Sequence, residues 1–321
     1  MTLPVSVLIP AYNGAKYIAE TLDAILSQTY RPAEVIVLDD GSTDDTRTVV
    51  GRFGQRVSYH FTPNGGICRA RNMAASLAVS AYIAFCDQDD LWRKDKLEQQ
   101  MGLHERHPEV QYSFTNFSHV IDGVWAQRTK LDDAPADFFR DSLPAGSAPF
   151  IYEHSLYDPL LSFQPVWPST IAIARQRFRE MNGFREEFGK NPSEDFEFTL
   201  RCVKQGPIGI VREPVAGIRR HPLNYSGNID ANTRGQIEIL EYVLEHHDMG
   251  ESTRQLVLEQ IAVRKVERSY GAFREGEFDR FISLLANVPP RYLDSKTRVK
   301  LMISRLPAPL ARSARKFLLK S

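Results

Sequence analysis

The sequence predicts an α/β fold, a mostly parallel sheet covered by helices, with a helical extension on its C-terminal side. Two observations carry that expectation. Strand and helix patterns alternate four times between residues 5 and 90, and short connections of this kind build right-handed βαβ units on a parallel sheet. From about Thr233 the strand pattern stops and only helical patterns follow.

Val5-Ser6-Val7-Leu8-Ile9-Pro10 is rich in β-branched residues and closed by a proline, as a buried parallel strand should be. Over residues 16–28, Tyr17, Ile18, Leu22, Ile25 and Leu26 recur at three- and four-residue steps, which marks a helix with one apolar face on the sheet. Residues 34–38 read as a second strand ending in Asp39-Asp40-Gly41-Ser42-Thr43-Asp44, where Ser42, Thr43 or Asp44 is placed to cap the next helix. Residues 57–61 read as the third strand, Asn64-Gly65-Gly66 as a turn, 69–78 as a helix and 81–86 as the fourth strand. That strand runs into Asp87-Gln88-Asp89-Asp90, with a helix expected from about Leu91. Residues 122–170 read as irregular, with prolines at 135, 144, 149, 159, 165 and 168, and are expected to wall a second binding site. Helices are expected at 237–244, 256–270 and 278–285, and Asn224-Tyr225-Ser226-Gly227-Asn228 supplies the turn chemistry of a boundary. The expected domains are therefore 1–228 and a helical region, 229–321, ending in a basic tail.

With 321 residues, 42% hydrophobic and 25% charged, the chain is long and apolar enough for a full core, which excludes a disordered or fibrous protein. Forty basic side chains balance forty acidic ones, so nothing global points to nucleic acid. The balance is uneven: residues 291–321 hold Arg291, Lys296, Arg298, Lys300, Arg305, Arg312, Arg315, Lys316 and Lys320 against Asp294 alone. Cys68, Cys86 and Cys202 are odd in number and widely spaced, which argues against a disulfide framework or a structural zinc site and fits the cytoplasm. No apolar run approaches about 18 residues and the N-terminus enters a strand pattern directly, so neither a membrane span nor a signal peptide is expected.

Three carboxylates in the four positions 87–90 repel one another unless a cation or hydrogen-bond donors neutralise them. A divalent metal shared with substrate phosphates is the simplest neutraliser, and a solvated acidic turn capping the following helix is the other reading. A second acidic pair, Asp39-Asp40, ends another strand of the same sheet, and a third, Glu194-Asp195, opens an amphipathic helix. Acids are therefore expected to converge at the carboxyl ends of the strands. For Glu194 and Asp195 a preference for the positive helix N-terminus is the alternative.

Taken in order, Val5 to Asn13, Val37 to Asp44, Ala70-Arg71-Asn72, Asp87-Gln88-Asp89-Asp90 before Trp92, and Asn182-Gly183-Phe184 before Glu194-Asp195 resemble the motifs of the family 2 inverting glycosyltransferases. The resemblance covers about residues 3–225 and implies the GT-A fold, which is Rossmann-like. It also implies a nucleotide-diphosphate sugar, UDP- or dTDP-linked, as donor and a hydroxyl of a glycan or lipid-linked acceptor as nucleophile, in polysaccharide or cell-surface glycan assembly. Pro10, Ala11 and Tyr12 then lie beside the base, Asp40 accepts from the imide N–H of a pyrimidine, and Asp39 supports the turn. Arg71, with Arg69 as its competitor, stands near the diphosphate. Asp87 and Gln88 belong to the nucleotide-sugar segment, Asp89 binds Mn²⁺ or Mg²⁺, and Asp90 is free to cap the next helix. His221 touches metal or diphosphate, and Arg219 and Arg220 help to hold phosphate. Asp195 is the general base, with Glu194 on the acceptor side, where Trp167 of the proline-bearing stretch is either a platform on which a sugar ring stacks or a core residue.

Other functions fit less well. A sugar nucleotidyltransferase wants a glycine-rich phosphate loop and a dehydrogenase G-x-G-x-x-G after the first strand, where Ala11-Tyr12-Asn13-Gly14-Ala15 has one glycine. The remaining alternative is a catalytically silent nucleotide-binding scaffold subunit of a glycan-assembly complex. The tail from 301 to 320 mixes apolar and basic residues in a pattern that suits an anionic membrane surface, although Pro307 and Pro309 interrupt it. A cytoplasmic protein with peripheral contact at the inner face of the membrane is the expectation.

Overall fold

The structure is a computed structural model that describes residues 2–140, 142–144, 149–222, 224 and 227–318. Tyr225 and Ser226 of the expected boundary turn, residues 141 and 145–148 of the proline-bearing stretch, and Lys320 of the tail lie outside the described residues. The chain divides into two compact units, Met1–Gly227 and Asn228–Ser321.

The first unit is built on one sheet. β1 (Val5–Ala11), buried throughout, pairs in parallel with β2 (Glu34–Asp39) on one side and with β4 (Tyr82–Phe85) on the other, and β2 pairs in parallel with β3 (Ser58–Phe61). Helices α1 (Ile18–Leu26), α2 (Thr46–Gly51) and α3 (Ile67–Leu77) make the crossovers. Val5, Val7 and Ile9 share a core with Ile18, Leu22 and Ile25. Each such side chain contributes about 1.5–3 kcal/mol when fully buried, enough together to fix where the strand ends sit. The loops that follow β1, β2 and β4 carry Tyr12, Asp40 and Asp87.

Beyond β4 the sheet becomes mixed. β10 (Ile171–Ala174) runs antiparallel between β4 and β6 (Tyr112–Ile121), and β11 (Ile208–Arg220) lies parallel to β6. The pairing of β11 shifts register around Pro214, as a bulge does, before the strand runs on to Arg219 and Arg220. After β10 come α6 (Arg175–Glu180) and α7 (Glu194–Cys202), whose first turn carries Glu194 and Asp195.

Two local expectations are corrected. Leu91 and Trp92 form a short strand, β5, paired with Gly217 and Ala216 of β11, and the helix α4 (Lys96–Arg106) starts later. A strand from far along the chain supplies hydrogen bonds that local propensity cannot anticipate. The stretch 122–170 holds β7 (Val124–Thr129), β8 (Ser142–Pro144), β9 (Pro149–Tyr152) and α5 (Tyr157–Ser162). Its prolines 144 and 149 stand at the ends of β8 and β9 at the sheet margin, where a missing N–H is tolerated.

The second unit contains α8 (Ile229–His246), α9 (Glu251–Glu275), α10 (Phe278–Leu285), α11 (Ser295–Ser304) and α12 (Ala308–Leu318). Ala262, Phe273, Phe281, Leu285 and Val288 form its core. Gly276, with φ of +82°, closes α9 in the left-handed conformation that glycine adopts without a Cβ clash. Pro309 sits in the first turn of α12, so that helix starts earlier than the paired prolines suggested. Among the described residues no helix is long and apolar enough to cross a membrane.

Candidate active site

The site lies at the carboxyl ends of β1, β2 and β4. The loop after β1 is interlocked with the loop after β2. Asn13, at φ of +49°, accepts from the Thr43 N–H with its Oδ1 at 2.8 Å, while its own N–H donates to Ser42 Oγ at 2.8 Å. Gly14 N–H donates to Thr46 Oγ1 at 2.8 Å and Ala15 N–H to Asp44 Oδ2 at 3.1 Å. Asp39 accepts from Ser42 N–H and from the Tyr59 hydroxyl, so it supports the turn as expected of it. Asp40 is buried, and its two oxygens accept from the N–H groups of Gly65 and Gly66 at 2.8 and 2.9 Å. Each oxygen keeps a second lone pair.

Tyr12 stands at the mouth of the site with half of its surface exposed. Its backbone is held by the Gln88 side chain, whose Oε1 accepts from Tyr12 N–H at 2.9 Å and whose Nε2 donates to Tyr12 O at 3.0 Å. Gly14 makes that clamp possible, since a Cβ there would fall 2.0 Å from Gln88 Oε1. Gln88 thus fastens the acidic loop to the end of β1, next to Pro10 and Ala11, which are buried in the strand.

The carboxylates of residues 87–90 are neutralised one by one. Asp90 is buried, takes the Ser169 hydroxyl on Oδ2 and accepts from Arg219 N–H on Oδ1 at 3.0 Å, so it anchors the loop rather than capping a helix. Burial, reinforced by Asp89 and Asp87, pushes its pKa well above the carboxylate range. Asp89 Oδ2 lies 2.8 Å from His221 Nε2 and 3.2 Å from Asn224 Nδ2. Burial, then the charge of Asp87, raises its pKa, with His221 pulling the other way. Tyr17 stacks on His221 with ring centroids 4.4 Å apart. Arg219 donates to Asp89 O at 2.7 Å and pairs with Glu20 at 2.8 Å. Asp89 Oδ2 and His221 Nε2 face each other, and a carboxylate oxygen with an imidazole nitrogen is a donor pair whose chemistry suits Mn²⁺ and, less well, Mg²⁺. Among the described residues no group of three or more His, Cys, Asp or Glu side chains is assembled to hold a metal ion.

Arg71, expected beside a diphosphate, is ion-paired within the protein. It is 2% exposed, and its two terminal nitrogens are committed to Asp87 Oδ1 at 2.9 Å and Glu194 Oε1 at 2.6 Å. Burial opposes its charge, but the two carboxylates outweigh burial and hold it firmly protonated. Its fork therefore joins the end of β4 to the start of α7, elements brought together from 16 and 123 residues away along the chain. The next residue, Asp195, is half-buried, and among the described residues no other side chain hydrogen-bonds or ion-pairs with it. Burial and then Glu194 push its pKa well above the ordinary range.

Trp167 packs on the core with one face covered by the Arg220 guanidinium at 5.0 Å. The sequence reading missed Ser169, Tyr17 and Asn224. Ser169 Oγ accepts from Asp87 N–H at 2.9 Å while its hydroxyl reaches Asp90. Asn224 had a readable signal, a short polar residue three positions after His221 able to turn back on it, and its Oδ1 does accept from His221 N–H. Tyr17 had none, because its expected role was the apolar face of α1.

Residues 6–157 match the family described as Glycosyl transferase family 2. The chain is 40% identical over 119 residues to the putative teichuronic acid biosynthesis glycosyltransferase TuaG of Bacillus subtilis, covering 36% of this chain and 46% of that protein. It is 35% identical over 134 residues to the Escherichia coli UDP-Glc:alpha-D-GlcNAc-diphosphoundecaprenol beta-1,3-glucosyltransferase WfaP, covering 40% of this chain and 53% of that one. Curated relatives are matched over only 19 to 53% of their own length. The crystal structure of S. aureus TarS residues 1–349 in complex with UDP-GlcNAc superposes with a TM-score of 0.67 at 20% identity, over 99% of this chain and 92% of that one, so the two share the GT-A fold.

Replacing Arg71 by Met is expected to leave Glu194 buried and Asp87 half-buried without a counter-charge and to lower unfolding stability by about 2–4 kcal/mol. Urea denaturation measures this. Adding Glu194→Gln to that variant should restore part of the loss, and a loss below about 1 kcal/mol would show that the pair is not buried as described.

Proposed function

From the premise that this chain belongs to glycosyl transferase family 2, we propose that it transfers a sugar, with inversion, from a nucleotide-diphosphate donor to a hydroxyl of a glycan or lipid-linked acceptor in cell-surface glycan assembly. One observation carries the reading. Of the carboxylates gathered here, Asp195 alone is left without a partner side chain among those described, and its pKa is raised toward the range a general base needs. UDP or dTDP is the proposed carrier. Tyr12 would stack on the base and Asp40 would meet its imide N–H with the lone pairs that Gly65 and Gly66 leave free. Asp87, held by Arg71, would face the ribose and diphosphate, and Pro10, Ala11 and Gln88 would frame the base side.

A divalent cation, Mn²⁺ or Mg²⁺, held by Asp89 and His221 would neutralise charge gathering on the leaving diphosphate. The protein's own work is positional. Arg71 fixes Glu194, which keeps the first turn of α7 and hence Asp195 at a set distance from the acidic loop. Asp195 takes the proton of the acceptor hydroxyl as that oxygen attacks the anomeric carbon from the face opposite the diphosphate, which inverts the configuration in a single displacement. Glu194 stays ion-paired to Arg71.

The tail supports a peripheral membrane contact. In α12, Leu310 and Phe317 are exposed seven residues apart on one helical face, with Arg312, Arg315 and Lys316 on the same short helix, and Met302 and Leu306 are exposed just before it. Exposed apolar side chains beside cations are what an anionic lipid surface recruits. The protein should sediment with phosphatidylglycerol vesicles and not with phosphatidylcholine vesicles. Leu310→Ser combined with Phe317→Ser should release it, and unchanged sedimentation would sink the assignment.

Asp195→Asn should lower kcat by at least about 10³-fold while leaving the dissociation constant for the nucleotide within about twofold. In the wild type, kcat/KM should fall as the pH drops through the raised pKa of Asp195, so its acidic limb should lie above the ordinary carboxylate range. Initial rates across pH with a UDP-sugar measure both. Wild-type turnover in the variant would remove Asp195 from the reaction.

A further inference from the structure

Next to the acidic loop lies a second set of charged groups that the proposed chemistry does not use. Arg220, at the end of β11, lies over Trp167 at 5.0 Å and approaches His119 of the neighbouring β6 with Nε 3.2 Å from Nδ1. Lys130, just after β7, has its amine 4.7 Å from the Phe163 ring. All of Arg220, His119, Lys130 and Trp167 are half-buried. Among the described residues neither Arg220 nor Lys130 has a carboxylate within ion-pair distance, and the nearby Asp133 is taken by Arg128 at 2.8 Å. Burial lowers the pKa of Lys130, with Asp133 opposing and Arg220 adding to the effect, and burial and then Arg220 lower that of His119. Asp90 acts on Arg220, and Asp133 on Lys130, only from beyond ion-pair contact, and half-buried cations without a carboxylate in contact are unfavourable unless an anion completes them.

The sheet order decides which anion. Tyr12 and Asp40, proposed for the nucleotide, follow β1 and β2, whereas His119 and Arg220 sit on β6 and β11, across β4 and β10 from them. The cluster nonetheless borders the reacting centre, because Trp167 precedes Ser169, which holds Asp87, and Arg220 precedes His221, which meets Asp89. We propose that Arg220, Lys130 and His119, backed by Trp167, form a phosphate-binding subsite for the acceptor. This rests on the transferase reading above and narrows its acceptor to one that carries a phosphate near the hydroxyl that reacts. A lipid-linked sugar diphosphate and a phosphate-containing glycan both present that group.

Calorimetry on the full chain, saturated beforehand with UDP or dTDP and Mn²⁺, tests the proposal. The probes are farnesyl monophosphate and glycerol 3-phosphate, with farnesol and glycerol as neutral controls. The phosphates should bind and the controls should not. Lys130→Gln and Arg220→Gln should each weaken phosphate binding by about tenfold or more while changing nucleotide affinity less than about twofold, and Arg220→Lys should recover part of the loss. Preference for farnesyl monophosphate would identify a lipid-linked acceptor, and equal binding of both would identify the phosphate itself as the recognised group. Phosphate binding that is absent, or unchanged in both variants, would overturn the subsite while leaving the transferase reading intact. Equal loss of nucleotide affinity would overturn it by assigning the cluster to the donor. Failure of any nucleoside diphosphate to bind the wild type would overturn the transferase reading and the subsite together.

Discussion

The buried fork of Arg71 between Asp87 and Glu194 is the interaction on which the site depends. Five carboxylates, Asp87, Asp89, Asp90, Glu194 and Asp195, are packed against a low-dielectric sheet, and burial with the neighbouring charges raises the pKa of Asp89, Asp90, Glu194 and Asp195. Each is answered differently. Arg71 answers two, Ser169 and the Arg219 backbone answer Asp90, and His221 with Asn224 answers Asp89. Among the described residues no side chain answers Asp195, and the same burial that makes its charge unfavourable makes it a better proton acceptor than an exposed aspartate.

The arrangement also explains why the fold needs its long-range pairings. Asp87 is delivered by β4, Glu194 and Asp195 by a helix that follows β10, and His221 by the end of β11. β10 lies beside β4, and β11 is tied back to the acidic loop through β5 and the contacts of Arg219 with Asp89 and Asp90. Removing any of these would leave charges buried without partners, a cost larger than that of most lost apolar contacts. The Gln88 clamp on Tyr12 extends the same rigidity to the end of β1.

Local pattern made much of the fold legible. The β-branched runs at β1, β2 and β4 and the apolar spacing of α1 correspond to the elements found, because each is set by burial of its own residues. The acids were visible as clusters at strand ends. What the sequence could not display were partners chosen across the sheet. Arg71 read as a guanidinium near a diphosphate, and nothing local shows that carboxylates at 87 and 194 occupy its fork. Leu91 and Trp92 read as helix because their strand partner lies in β11, and the prolines of 122–170 read as loop because proline is tolerated at a sheet margin as well as in coil. Arg220 read only as a phosphate-holding neighbour of His221, and Lys130 gave no signal at all until β6, β7 and β11 brought them together.

The central claim is that these loops hold a nucleoside diphosphate through Asp40, Asp87 and a cation on Asp89. Calorimetric titration of UDP, dTDP, GDP and ADP, each with Mn²⁺ and again with a chelator, tests it without knowledge of the acceptor. The account expects one pyrimidine diphosphate to bind, with affinity that falls at least about tenfold when the metal is removed. Binding of none of the four, or binding indifferent to both chelator and Asp89→Ala, would contradict it.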